Sequence, residues 1–300
     1  MKKNFIRRLV FHALNSPVLR NLISDRLYLR IRYRYYTGKR LNLEHPCRYN
    51  EKLQWLKLYY RNHQIPRLTD KYEVRGYIEE TLGNEYLIPL LGVWDSFDEI
   101  DFTSLPDQFV LKCTHDSNSV IICRNKADWN REKAHKKLTK ALNRSFYWGG
   151  REWPYKELKP RIIAEQYMSD DSGTGLKDYK FFCFQGVVKA FFIATDRGVA
   201  GEEVKFDFFD EHFNHLPFMH GHPNAEMTPT CAPSVLKEMM ELASKLSAGM
   251  PHVRVDLYHI NGRIYFGEFT FFHHSGIVPF IPDTWDLTFG SWLQLPEQKE

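Results

Sequence analysis

The 300-residue chain has no uninterrupted apolar run of 18 residues, which argues against a membrane-spanning helix. Its five cysteines (Cys47, Cys113, Cys123, Cys183, Cys231) are odd in number and form no C-x-x-C pair. That usage excludes a disulfide framework and points to reduced thiols in the cytosol. G-x-S-x-G and G-x-G-x-x-G are missing, so α/β-hydrolase and Rossmann readings have no support. There is no internal repeat and no low-complexity tract. The opening MKKNFIRRLVFHALNSPVL starts like a signal peptide, but His12 and Asn15 break its apolar run and no small-residue cleavage site follows.

Acidic residues are scarce at one end. Residues 1–50 carry twelve Lys or Arg against Asp25 and Glu44, a local net of +10. The other 250 residues carry 29 basic and 35 acidic side chains, a net of −6. A basic head on a slightly acidic body suggests an anionic surface, polymer or headgroup as partner, and not nucleic acid. Hydrophobic content of 43% and aromatic content of 15% supply a core, which excludes a disordered chain, a coiled coil or a stapled miniprotein. The length suggests about two domains.

Phe5, Leu9 and Ala13, with Ile6, Val10 and Leu14, make a helical stripe. Ser16-Pro17 reads as the start of a second helix. Arginines at 30, 32 and 34 alternate with Leu29, Ile31, Tyr33 and Tyr35; the pattern fits strand or helix, with helix preferred. Further helices are expected from Asn50, over 69–82, 129–143 and 234–248. Strands are expected at 109–113, 120–123, 161–167, 179–184 and 188–194, with Pro89 confining 87–93 to an edge. A polar stretch fills 196–233. The last strands form the hairpin RVDLYHI-NG-RIYFGEFTF. This mixed order indicates α+β.

The hairpin carries the most chemistry. A two-residue Asn261-Gly262 turn pairs Ile260 with Arg263 and sends Asp256 and Glu268 to opposite faces. A three-residue loop pairs His259 with Arg263, sets Glu268 opposite Arg254, and gathers Arg254, Asp256, Glu268 and Thr270 on one face. We take the second register as the expectation, because the other face then holds Val253, Val255, Leu257, Phe269 and Phe271. Two nearby carboxylates need a cation, and hard oxygen ligands suit Mg²⁺; a solvated face with one ion pair is the plainer alternative. Lys112 ends an apolar strand before the polar loop His115–Ser119, which can cover phosphates, or form an ordinary hairpin. Lys180 amid aromatics meets an anion or snorkels to water. Glu165 ends another apolar strand. His212, His215, His220, His222 and Cys231 cluster in the polar stretch and could hold zinc, but they match no usual spacing and loop histidines are common. Cys113 and His115 are conceivable as a nucleophile pair, though a buried strand cysteine is commoner.

Several long segments resemble the TupA-like ATP-grasp family: LTDKYEVRGYIEETLGNEYLIPLLGVWDSFDEIDFTSLPDQFVLKCTHDSNSVII, GREWPYKELKPRIIAEQYM, LKDYKFFCF, RVDLYHINGRIYFGEFTF and YNEKLQWLKLYYRN. The resemblance spans roughly residues 25–290. It implies ATP held between two α+β subdomains with antiparallel sheets, preceded by a basic helical region: 1–66, 67–164 and 165–300. It places Arg75, Lys112 and Lys180 near phosphates, with His115, Ser117 and Ser119 in a flap over them. Glu165, Gln166, Tyr167 and Met168 would form the adenine edge, and Asp170 or Asp171 would reach the ribose. Asp256, Glu268 and Thr270 would hold Mg²⁺, and Arg254 would act with Lys180 at the transferred phosphate. Asn118 stands where the family commonly has glycine, Thr270 where it has asparagine, and His273-His274 where it more often has Pro-Gly.

The implied activity is an ATP- and Mg²⁺-dependent carboxylate–amine ligase of capsule or O-antigen polysaccharide synthesis. An acidic sugar or lipid-linked glycan and a small amine would be its partners. A sugar kinase, a glycosyltransferase (without D-x-D) and a non-catalytic polysaccharide-binding module are the alternatives. A cytoplasmic protein touching the inner face of the plasma membrane through residues 1–50 is expected. Asp256→Ala is expected to remove turnover and spare the fold.

Overall fold

The computed structural model describes residues 16, 19–169, 177–195, 203–225 and 235–297. The stripe at 5–14, Asp170, Asp171 and Cys231 lie outside these residues. The principal helices are α1 (Asp25–Thr37), α2 (Tyr49–Tyr59), α3 (Gln64–Thr69), α4 (Val74–Thr81), α5 (Arg131–Leu142), α6 (Leu236–Leu246) and α7 (Thr284–Trp292). The strands are β1 (Leu90–Trp94), β2 (Phe109–Cys113), β3 (Ile121–Cys123), β4 (Ile162–Gln166), β5 (Asp178–Phe184), β6 (Val187–Thr195), β7 (Lys205–Asp210), β8 (Met219–His220), β9 (His252–Ile260), β10 (Arg263–Thr270) and β11 (Phe280–Ile281). The architecture is α+β with antiparallel sheets.

One sheet has the order β1-β4-β2-β3, and a larger one β10-β9-β5-β6-β7. Pro89 precedes the edge strand β1, where a missing N–H costs no ladder bond. The small sheet covers its own core, built on Phe109, Leu111, Ile162, Ala164 and Leu138. The large sheet shares one core with the helices around it. Tyr28, Leu29 and Tyr33 of α1 belong to that core, so the alternating arginines lie on a helix. Ser24 caps α1 by accepting from Leu27 N, and Gly38 ends it at φ 74°.

Three expectations need correction. The helix expected over 69–82 breaks at Asp70, whose carboxylate accepts from Tyr72 N and Glu73 N. Asp outside a helix competes for backbone donors in this way. The polar stretch 196–233 contains β7, where Phe206, Phe208 and Phe209 are buried against β6. The hairpin turn is the two-residue one: Ile260 pairs with Arg263, with Asn261 and Gly262 at φ 49° and 80°. A bulge between Phe266 and Glu268 then adds the residue that the turn lacks. Glu268 therefore pairs with Asp256, not Arg254, and Thr270 pairs with Arg254.

Tyr49 sits at the centre of the large core, edge-on to Phe182, Phe184, Phe280 and Phe289. Val-free helix α7 presses on α2 so closely that a Cβ on Gly290 would lie 2.1 Å from Cys47 O and 2.8 Å from Tyr49 N. Gly-to-Ala in a helix ordinarily stabilises by about 1 kcal/mol. Here we expect Gly290→Ala to destabilise by about 1–3 kcal/mol, since backbone must move; a urea midpoint at or above wild type would contradict this contact.

Candidate active site

A cavity of about 1010 Å³ opens between the two sheets. Lys112 reaches it from β2, Glu165 from β4, Asp178 and Lys180 from β5, and Gly267 and Glu268 from β10. Lys71 and Arg75 enter from the segment around α4, and Ser117 and Asn118 from the β2–β3 loop. Leu87, Ile88, Val120, Ile122, Tyr167 and Met168 add apolar and aromatic surface. Cations, a few carboxylates and an apolar wall thus share one hollow, the composition of a ligand site for a polyanion with a flat base.

Alternation along the strands explains the placement. Asp178 and Lys180 are two residues apart and share a face of β5. Lys180 pairs with Asp256 on β9. Its ammonium contacts Asp178 Oδ2 at 2.7 Å and also bonds Asp256 Oδ2. Arg254 clamps Asp256 through Nε–Oδ1 and Nη2–Oδ2 contacts of 2.6 Å each. Its remaining nitrogen donates to His273 Nδ1 at 2.6 Å, and Nη2 lies 3.6 Å from Glu268 Oε1. Burial works to raise the Asp256 carboxyl, but the Arg254 and Lys180 cations outweigh it and hold the group below 3.8. Burial opposes the Arg254 charge, and Asp256 more than restores it.

On the opposite wall Lys112 Nζ donates to Glu165 Oε2 at 2.6 Å, and Arg75 Nη1 lies 3.7 Å from Glu165 Oε1. Burial lowers the Arg75 pKa despite Glu165. Asn118 adopts φ 82°, the left-handed region that glycine favours and asparagine tolerates. Ser117 lines the cavity. His115 and Ser119 do not: His115 Nε2 contacts the Ala141 and Arg144 carbonyls, while Ser119 Oγ accepts from Cys113 N and donates to Asp116. Gln166 is exposed at the end of β4, and its N–H is taken by Pro89 O. The next two residues, Tyr167 and Met168, do line the cavity. Thr270 is half-buried on the hairpin face, outside the cavity lining.

Sequence reasoning passed over Asp178 and Lys71. Asp178 was legible from its i,i+2 spacing to Lys180. Lys71, which donates to Asp116 O, had only its neighbour Asp70 to mark it. Burial pushes the Cys113 thiol up to about 11, so it is no nucleophile beside His115. The histidines of 212–222 do not gather: His215 faces Asp207, His222 packs on Phe206, and His220 turns toward His273 and His274.

Asp256 and Glu268 face each other across β9 and β10 with hard oxygen donors, and Glu268 remains open to the cavity. The pair suits Mg²⁺, with Asp256 exchanging part of its present cation contacts for the metal. Lys112, Lys180 and Arg75 suit the phosphates of a nucleotide.

Two antiparallel sheets gripping a cationic cleft define the ATP-grasp class. The TupA-like ATPgrasp family profile matches residues 51–294, and the chain belongs to that family. No curated protein matches the chain. Among solved structures it is similar to an L-amino acid ligase from Bacillus licheniformis (12% identity, 85% of this chain and 55% of that one, TM-score 0.46). Others are a D-alanine–D-alanine ligase from Bacillus anthracis complexed with ATP (15%, 68% and 54%, 0.38) and a D-cycloserine synthetase (15%, 76% and 70%, 0.43). The chain spans little more than half the length of the first two.

The charge cluster makes Asp256 structural as well as chemical. Removing it strips buried Arg254 of its carboxylate clamp and leaves Lys180 with Asp178 alone, so Asp256→Ala should cost about 3–5 kcal/mol instead of sparing the fold. Because the folded carboxyl is held below 3.8, its stabilisation is present above that value and is lost as pH falls below it. Chemical denaturation between pH 7 and 3 should show this loss in wild type and a shallower one in Asp256→Asn; parallel curves would contradict the assignment.

Proposed function

We propose that this protein is an ATP- and Mg²⁺-dependent ligase that joins a carboxylate to an amine. The observation that carries the reading is the cavity wall itself: Lys112 and Arg75 on one wall stand opposite Lys180, Asp178 and Glu268 on the other, across a hollow with an apolar end, while Asp256 and Arg254 lie just behind that second wall. Tyr167 and Met168 would hold the base, and Lys112, Lys180 and Arg75 the phosphates. Asp256 and Glu268 would hold Mg²⁺, which supplies charge neutralisation at the transferred phosphate. Arg254 would offset charge on the same group.

The substrate carboxylate oxygen attacks the γ-phosphorus, and the bond to ADP breaks. The amine nitrogen then attacks the acylphosphate carbon, phosphate leaves, and the ammonium proton passes to solvent. Positioning and charge suffice for this sequence; no protein nucleophile is required.

For the acid we propose a uronic acid of a surface polysaccharide of the capsule or O-antigen kind, and for the amine an amino acid or amino alcohol. The basic head supports an anionic glycan or lipid surface nearby. Arg26, Arg30 and Arg34 repeat every four residues on α1 and are exposed, beside Leu27 at 50% exposure. No helix among the described residues is long and apolar enough to cross a membrane.

Purified protein with Mg-ATP should release ADP and phosphate only when both acid and amine are present. Glu268→Gln should lower that rate by about 100-fold or more, equivalent to roughly 3 kcal/mol of lost stabilisation. Release of AMP, or phosphate retained on the sugar, would overturn the ligase reading, the latter in favour of a kinase.

A further inference from the structure

Three histidines meet beside Arg254 but outside the cavity lining. His220 lies on β8, and His273 and His274 follow β10. One nitrogen from each ring lies within 4.8 Å of the other two. His220 and His273 are fully buried, and His274 is half-buried. Each ring has one nitrogen without a hydrogen-bond partner: His220 Nδ1, His273 Nε2 and His274 Nε2. Buried polar atoms are rarely left so, and here all three belong to one cluster of rings.

The opposite side of two rings is fixed. His220 Nε2 lies 3.0 Å from Val278 O, a pure acceptor, so that nitrogen carries the proton and Nδ1 keeps its lone pair. His273 Nδ1 accepts from Arg254. His220 also stacks on Phe280, with centroids 3.8 Å apart. The His220 contact, a ring N–H given to a backbone carbonyl, is the kind that orients an imidazole around a metal. His274 and Ser275 hold left-handed backbone at φ 47° and 54°, a cost that secondary structure does not require. Gly221 is needed beside them, since a Cβ there would fall 2.6 Å from His274 Nε2.

Burial and neighbouring cationic groups keep the rings neutral. His274 is lowered to about 4 by burial, then Arg254 and His222. His220 and His273 are also held well below the ordinary histidine value, burial first. Neutral imidazole is the form that binds metal.

We infer that His220, His273 and His274 form a three-imidazole site for a divalent transition metal of the zinc type, distinct from the proposed Mg²⁺ position. Nitrogen donors select such a metal over Mg²⁺. Metal–nitrogen bonds of about 2.0–2.1 Å require the three ring nitrogens to draw closer than the 4.8 Å that bounds them here. His274 is the least buried of the three rings. Arg254 has already committed two nitrogens to Asp256, so its charge is largely matched.

Proton balance adds one consequence. With Arg254 donating to Nδ1, His273 carries its proton on Nε2. Ligation through Nε2 moves that proton to Nδ1, and Arg254 then loses its acceptor. Metal occupancy and the Arg254–His273 hydrogen bond are therefore alternatives.

The full chain, freed of metal by chelator and titrated with Co²⁺ alone, tests the site. We expect visible d–d absorption that saturates at one ion per chain and is displaced by Zn²⁺ but not by Mg²⁺. His274→Gln, at the accessible edge, should weaken binding by at least the roughly 10–100-fold seen for losing a supporting partner. His274→Cys should restore binding and add thiolate-to-cobalt charge transfer. His220→Ala should abolish binding, with circular dichroism reporting whether that variant folds. Absence of the bands in wild type, or equal Co²⁺ affinity in wild type and His274→Gln, would overturn the assignment. Neither result bears on ligase activity, which is read from ADP release.

Discussion

An ionised carboxylate cannot be buried alone, and Asp256 imposes that constraint on the whole site. Its partners come from two strands, Arg254 on its own and Lys180 on the next. Each partner then needs further matching. Lys180 is shared with Asp178, and the free edge of Arg254 is taken by His273. The chain after β10 is thereby tied to the sheet face, and the cavity receives Glu268 and Lys180 in fixed positions. Gly267 makes this possible: without the bulge, the Asn-Gly turn would send Glu268 to the wrong face.

A third buried basic side chain holds the same loop from behind. Lys57 of α2 donates to Gly150 O at 2.9 Å, Ser275 O at 2.8 Å and Ser275 Oγ at 2.9 Å. Gln54 adds bonds to Ser275 O and Gly276 O. Tyr49, at the start of the same helix, closes another chain: its hydroxyl meets His252 Nε2 at 2.8 Å, while His252 Nδ1 donates to Cys183 O at 2.9 Å. Residues 49–57 thus brace β5, β9 and the loop after β10 at once. The segment that precedes the sheets in sequence is part of the platform on which the large sheet is set.

Much of this was legible in the residues. Alternation marked β2, β4, β5, β6 and the hairpin, and Asn261-Gly262 marked its turn. Asp256, Glu268, Arg254 and Thr270 were placed on one face, although through the wrong loop; a bulge has no signature beyond an internal glycine. β7 was hidden because Lys205, Asp207 and Asp210 give it a polar reading, while its phenylalanines are buried by tertiary packing. His115 and Ser119 looked like flap residues because they occupy a polar loop, yet their side chains satisfy buried backbone groups. The meeting of His220 with His273 and His274 depends on β8 pairing with β11, a contact between distant segments that local pattern cannot encode.

The central claim is that the hairpin carboxylates and the facing lysines form one nucleotide–metal site. A crystal structure with Mg²⁺ and a non-hydrolysable ATP analogue tests it most directly. The base is expected against Tyr167 and Met168, the phosphates between Lys112 and Lys180, and Mg²⁺ on Asp256 and Glu268. A nucleotide bound elsewhere, or bound here while Asp256 and Glu268 ligate no metal, would contradict it.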